Sequence, residues 1–399
     1  MKKKLFRFSL FKKPKIGAKK RNLILQQDIF RERRLTERKN PLIRVYFALG
    51  VNSKHQEHRG VGRYYTYLTN TLKEFNLAKL VNSPEKAEII HYTFFDLFFP
   101  TLKVNFGLSW RQKPLIVVTI HDVIPLVFPK YYLPGKRGKL AFLRQKMALK
   151  RVDLIITDSQ TSKSDIKEFL LVPEEKIKIV SLAANPNLRP MSKKDQKTAQ
   201  EKYGLNRPYV LYVGDINMNK NIPNLIKAVK YLPEFLDLVC VGKNFKEQNI
   251  PEWQAIQEQI VLNQVDNRIK FLTNVLGEKE DEELAALYSG AIVYIQPSWY
   301  EGFGLPILEA MTCGAPVVCT PNSSLLEIGG GEVVFSTGTE AEELAEAITE
   351  VLGWSDEHRQ RKILAGKKYA REFNWRKTAV ETCYWYNLLL NGQLTMKKK

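Results

Sequence analysis

The chain has no run of about 18 uncharged apolar residues, so no membrane-crossing helix is expected. Cysteine is scarce. Cys240, Cys313, Cys319 and Cys383 are the four in 399 residues, and no two form a Cys-x-x-Cys pair. All sit in apolar or helical surroundings, so buried, reduced thiols are expected rather than a disulfide frame or a zinc site. The five histidines show no His-Glu-x-x-His spacing, which removes the usual metalloenzyme pattern. Acidic residues are outnumbered, 42 against 62 Lys and Arg, for a net charge of +20.

The basic excess is concentrated at one end. Residues 1–40 hold fifteen Lys and Arg against three acids (Asp28, Glu32, Glu37), leaving +8 for the other 359 residues. Arg7 and Lys12 interrupt the apolar stretch of this tail, a poor match to a secretory signal. Three readings stay open. Leu5, Phe6, Phe8, Leu10 and Phe11 among the bases suit an anionic membrane surface. The tail could equally be solvated and disordered, or could bind nucleic acid. A cytoplasmic protein is expected, peripheral on the inner membrane face under the first reading.

What is present is enough apolar material for two cores: 44% hydrophobic and 26% charged residues over a length suited to two α/β domains. From residue 41 short runs rich in Val, Ile and Leu alternate with amphipathic stretches. The runs are Leu42–Leu49, Glu88–Tyr92, Leu115–Ile120 and Leu154–Thr157, then Tyr209–Val213, Leu236–Val241, Ile269–Leu272, Ala291–Ile295 and Pro316–Cys319. Continuous rather than alternating apolar runs are how strands buried on both faces of a parallel sheet read. Helical patterns at Ile222–Leu232 and Glu280–Ser289 lie between them. Two doubly wound α/β units follow. The boundary falls near Asn185–Asn206, where Pro186, Pro190 and a charged stretch break the strand pattern. The expected division is a tail at 1–40, a first α/β domain at 41–190, a second at 191–370, and a closing helix at 371–399.

Ligands of such folds bind beyond the carboxyl ends of the strands, and four segments fall there. In YVGDINMNKNIPNLIKA, a strand ends at Val213-Gly214 and a helix opens near Pro223. Lys220 thus stands before a helix N-terminus, an arrangement suited to a diphosphate. In QPSWYEGFGLPILEAMTCGAPVVCT, Gly302 and Gly304 follow a strand, Pro306 opens a helix, and Gly314 is its expected C-cap. The amides of Gly302, Phe303, Gly304 and Leu305 are placed to meet phosphate or sugar oxygens. Glu301 and Glu309 are placed to accept from vicinal hydroxyls. In PLIVVTIHDVIPLVFP, His121-Asp122 ends a strand, suited to proton movement or to a sugar hydroxyl. In RGVGRYYTYL, Gly60 and Gly62 are expected between the first strand and a helix.

Together these residues resemble the retaining glycosyltransferases of family 4, over about Pro41 to Leu390. EGFGLPILEAMTCGAPVV carries most of the likeness. HDVIP at His121–Pro125, VDLIITDSQTSKSDI at Val152–Ile166 and VPEEKIKIV add to it, and mannosyltransferase-like cell-envelope members are the nearest in pattern. The resemblance implies the GT-B fold, two Rossmann-like domains facing across a cleft, with EFNWRKTAVETCYWYNLLL as a helix crossing back to the first. It implies transfer of a hexose, mannose-like, from a nucleoside-diphosphate sugar to a glycan or lipid-linked hydroxyl. It implies Glu309 on the ribose, Glu301 and His121 at the sugar, Gly302–Gly304 at sugar and phosphate, Lys220 at the diphosphate and Gly62 in the first domain's loop. Gly214 and Asn219 would complete the donor site, with His121, Lys220 and Glu301 as the catalytic set. No metal cofactor is implied. The chain departs from the family at Asn219, where arginine is common, and Arg63 is a candidate replacement for that charge. A sugar phosphorylase or a non-catalytic sugar-nucleotide binder remain as alternatives.

Overall fold

The computed structural model describes residues 42–48, 60–102, 113–275 and 280–394. The expectations placed on residues 1–40 lie outside them. The described chain builds two six-stranded sheets, and every strand pair in both is parallel.

The first sheet contains β1 (Arg44–Ala48), β2 (Lys79–Leu80), β3 (Ile89–Tyr92), β4 (Leu115–Thr119), β5 (Leu154–Thr157) and β6 (Ile177–Ile179), ordered β2-β1-β3-β4-β5-β6. The second contains β7 (Tyr209–Val213), β8 (Asp237–Val241), β9 (Ile269–Leu272), β10 (Val293–Gln296), β11 (Val317–Cys319) and β12 (Val334–Phe335), ordered β12-β11-β10-β7-β8-β9. Eight of the nine apolar runs read from the sequence contain one of these strands, and the ninth, Ala291–Ile295, stops one residue short of the end of β10. Three strands have no counterpart among those runs. β2 and β12 are two residues long, too short to show a period, and Lys178 interrupts the three residues of β6.

The helices of the first half are α1 (Gly60–Glu74), α2 (Ile124–Val127), α3 (Lys136–Leu149) and α4 (Gln160–Leu170). Those of the second are α5 (Lys193–Lys202), α6 (Ile222–Ala228), α7 (Pro251–Asn263), α8 (Glu280–Gly290), α9 (Leu305–Cys313), α10 (Leu325–Gly329), α11 (Ala341–Leu352) and α12 (Asp356–Ala370). A closing helix, α13 (Trp375–Leu390), starts at an Asn374 cap whose side chain accepts from the Lys377 amide. It lies on the first sheet's side: the Trp375 indole donates to the Ala184 carbonyl at 3.0 Å and the Thr378 hydroxyl to the Ser181 carbonyl at 2.8 Å. This is the return crossing expected of the final segment. None of the four cysteines forms a disulfide, and all are buried. Among the described residues no helix is long and apolar enough to cross a membrane.

A buried polar chain ties α13 to the sheet. His91 on β3 meets the Tyr386 hydroxyl at 2.5 Å through Nδ1 and the Thr119 hydroxyl at 2.8 Å through Nε2. Thr119 in turn meets the Tyr64 hydroxyl of α1 at 3.1 Å. Burial pushes the His91 pKa down to about 3, and the nearby His121 adds to the shift. An unfolded histidine titrates near 6.5. Because the folded value is depressed, the stability it confers is complete above about pH 6.5 and is lost as pH falls toward 3. Between pH 7.5 and 5 the protein is expected to lose about 2 kcal/mol of unfolding free energy through this residue. Urea unfolding of His91→Gln should show that much less pH dependence over the same interval, and an unchanged pH slope would refute the assignment.

Candidate active site

The strand order of the second sheet reverses direction between β10 and β7, its first strand in sequence. A crevice opens at such a point because the connections leave to opposite faces. The segments leaving these two strands carry the second half's chief predicted groups. After β7 a 3-10 turn, Met218–Lys220, ends in Asn221 at φ 56°, and α6 begins at once. After β10 the chain passes Glu301 and Gly302–Gly304 into α9, whose N-cap Gly304 has φ 99°. Glycine holds that left-handed conformation without the Cβ clash of other residues. Gly314 closes α9 with φ 85°, the expected C-cap.

The two segments meet through a partly buried ion pair. The Lys220 Nζ lies 2.7 and 2.8 Å from the two carboxylate oxygens of Glu301. Glu301 also accepts from the Gln296 amide at 2.8 Å and the Ser298 hydroxyl at 2.6 Å. The carboxylate therefore has two neutral donors besides the lysine. Phe303 is buried against Phe373, so only its backbone is available to a ligand. Glu309, one turn into α9, is buried and accepts from the Tyr288 hydroxyl at 3.1 Å. Burial raises its pKa; the Arg63 charge and the Tyr288 bond oppose that rise without cancelling it.

His121 lies just past β4, facing this loop from the first half. Its Nδ1 is 2.7 Å from the Asp158 carboxylate, and its ring stands edge-on to Tyr64 at 4.9 Å. Burial alone would lower its pKa; the Asp158 charge and hydrogen bond, helped by Asp122, outweigh that and raise it. Its Nε2 is buried without a hydrogen-bond partner. Gly302 presses on this strand end: a Cβ added there would lie 2.7 Å from the Asp122 Cβ and 3.0 Å from the His121 carbonyl oxygen. A histidine, a lysine–glutamate pair and a glycine loop thus converge, a set able to bind hydroxyls and stabilise a departing anion.

Residues 193–369 match the family "Glycosyl transferases group 1". Residues 33–188 match "Glycosyltransferase Family 4". The O-antigen chain mannosyltransferase B of Escherichia coli is 31% identical over 290 residues, 71% of this chain and 73% of that protein. The chain belongs to glycosyltransferase family 4. This transferase also resembles the serotype-specific mannosyltransferase WbdA of Escherichia coli, 25% identical over 66% of this chain and 32% of that longer protein. Among solved structures, the sucrose-phosphate synthase of Thermosynechococcus elongatus superposes with a TM-score of 0.66 at 19% identity, over 88% of this chain and all of that one. That likeness shows the GT-B fold. As a member of its family the protein is a hexosyltransferase.

The transferase places several predicted residues differently from the sequence reading. Asn219 is buried, and both ends of its side chain serve the protein: Oδ1 accepts from the Tyr132 hydroxyl at 2.8 Å, and Nδ2 donates to the Tyr300 carbonyl at 2.8 Å. It tethers the loop to the other half. Arg63, the candidate replacement charge, pairs with Glu280 at 2.6 Å. Gly60 and Gly62 form the first turn of α1, not a loop, because the apolar face of the following residues recruits them into the helix. Gly214 directly follows β7, with its α-carbon close to the Tyr212 hydroxyl, which a Cβ would meet at 2.6 Å.

Residues the motifs did not single out complete the setting. Ser159 caps α4, accepting from the Ser162 amide, and both serine hydroxyls donate to the Gly302 carbonyl, at 2.6 and 3.1 Å. Glu327, next to Ile328 on α10, accepts from the Gln160 amide at 2.8 Å and from the Thr161 amide and hydroxyl at 2.9 and 2.6 Å. An acid from one half therefore satisfies the helix N-terminus of the other, where backbone donors and the helix dipole favour a negative charge. Asp158-Ser159 follows β5 as His121-Asp122 follows β4; a second polar pair at a strand's carboxyl end was the available signal.

Proposed function

We propose that the enzyme transfers a hexose, mannose-like, from a nucleoside-diphosphate sugar to a hydroxyl of a glycan or lipid-linked acceptor, with retention of anomeric configuration. The observation that carries this reading is the pairing of Lys220 with Glu301 at the strand-order reversal of the second sheet, beside His121. The half bearing β7–β12 takes the donor and the half bearing β1–β6 the acceptor. The diphosphate recruits the Lys220 ammonium, a point cation next to the N-terminus of α6. Glu301, still held by Gln296 and Ser298, then accepts from sugar hydroxyls, and Glu309 from the ribose. The amides of Gly302 to Leu305, at the N-terminus of α9, face the charge that grows on the leaving group. His121, oriented by Asp158, offers Nε2 to the sugar. Glu301 is assigned no nucleophilic role; the departing diphosphate takes the acceptor proton. The two mannosyltransferase relatives support the choice of sugar.

Thermal-shift measurements against GDP-, UDP- and ADP-hexoses test the donor class. A ligand at 100 times its dissociation constant stabilises by about 2.7 kcal/mol, a shift of several degrees. Stabilisation by one nucleotide family, and a smaller shift from the nucleotide without sugar, are expected. Stabilisation by hexose 1-phosphate with inorganic phosphate, and by no nucleotide sugar, would favour a phosphorylase instead.

A further inference from the structure

Helix α3 has two apolar faces where its place in the fold needs one. Ala141, Gln145, Ala148 and Leu149 are its buried side. Phe142 packs on Phe98, and the Gln145 amide is spent on the carbonyls of Asp96 and Phe99. On the far side Leu140, Leu143 and Met147 are 50%, 57% and 58% exposed. Their spacing of three and four residues sets them in one stripe along the helix. Leu133, at 80% exposure, stands three residues ahead of the helix start. Apolar side chains scattered singly need no explanation, but a contiguous stripe does.

The charges around the stripe identify its partner. Lys136–Lys150 contains six Lys and Arg and no acid. Arg137 and Arg144, seven residues apart, lie on one flank of the stripe; Lys139 and Lys146, also seven apart, lie on the other, with Lys150 beyond. Of these, Lys146 reaches back to the Phe169 carbonyl at 3.4 Å. An apolar strip between two rows of cations, on a helix whose other face is anchored in the core, matches an anionic bilayer surface. The leucines enter the acyl boundary and the cations stay with the headgroups. A second copy of the chain fits poorly, since a two-fold contact would set six cations against six. We propose that the Leu140–Leu143–Met147 face of α3 docks this enzyme on anionic lipid. The inference stands apart from the donor assignment, and no residue in it belongs to the candidate active site.

The test is co-sedimentation of the full-length protein with vesicles of phosphatidylcholine alone and with about one third phosphatidylglycerol. The wild type should partition onto the anionic vesicles and be released by high salt. Leu140→Gln/Leu143→Gln/Met147→Gln, which alters only half-exposed side chains, should keep its Tm and lose at least about tenfold in partitioning. Arg144→Gln/Lys150→Gln should lose less, and only on anionic vesicles. Equal partitioning of the triple variant and the wild type would overturn the proposal, assigning any binding to residues 1–40. So would a wild type indifferent to phosphatidylglycerol. A wild-type dimer by sedimentation velocity that the triple variant dissolves would overturn it in favour of self-association.

Discussion

Lys220→Ala is expected to lower kcat/KM for the donor by about 10²–10³-fold, with most of the loss in kcat. The lysine is the one cation whose ammonium contacts Glu301 among the described residues. In the ground state it is already satisfied by that carboxylate, at 2.7 and 2.8 Å. Exchanging a carboxylate for a diphosphate gains little in binding. The gain comes as the sugar–oxygen bond breaks and charge accumulates on the leaving phosphate. The split between kcat and KM therefore separates this role from a static one. Truncation also leaves Glu301 with Gln296 and Ser298 as its donors, which costs about 1–3 kcal/mol of stability for the lost charged partner. Steady-state kinetics with the donor varied, at a temperature below the variant's measured Tm, read the effect. Wild-type turnover under sub-saturating donor would remove Lys220 from the phosphate site.

Gly302→Ala is expected to reduce kcat by about 10²-fold or more while the protein stays folded. The new methyl group would sit 2.7 Å from the Asp122 Cβ and 3.0 Å from the His121 carbonyl oxygen. Neither neighbour yields cheaply. The Asp122 carboxylate caps the Ile124 amide at 3.0 Å, and the His121 carbonyl is held by the Ser162 hydroxyl at 2.8 Å. The clash is relieved by parting the loop from the strand end, which also breaks the Ser159 and Ser162 bonds to the Gly302 carbonyl. A displacement of about 1 Å between His121 and the donor loop is enough for a loss of this size. Gly331→Ala serves as the control, because a Cβ there meets nothing within 4 Å. A Gly302→Ala enzyme within about threefold of wild type would show that this close approach has no part in turnover.

The contrast between the two glycines also shows what a sequence can disclose. Position 302 is readable because a glycine loop between a strand and a helix has a physical purpose wherever it occurs. Nine strands were readable for a similar reason, since burial on both faces leaves an unbroken apolar run. β2 and β12 carry two residues each, and β6 is broken by Lys178, so none leaves such a mark. Contacts between the halves were beyond reach altogether. Nothing in the Tyr132 segment announces that its hydroxyl meets Asn219, 87 residues away, nor that Glu327 caps a helix 166 residues before it. Asn219 illustrates the cost: beside Lys220 it read as a donor-site residue, whereas its side chain is spent on Tyr132 and Tyr300. Asp158 was recognised only as part of a family-like string, although its place after a buried strand is the same argument that singled out His121.

The proposed reaction is transfer with retention from a nucleoside-diphosphate hexose by the groups gathered around Lys220, Glu301 and His121. It is tested most directly by incubating the enzyme with an α-linked donor and a panel of α-mannoside acceptors. The anomeric proton of the first-formed product is then followed by NMR. An α-linked product with release of the nucleoside diphosphate, abolished in parallel by Lys220→Ala, is the expected result. A β-linked product, or transfer that proceeds undiminished without Lys220, would contradict the account.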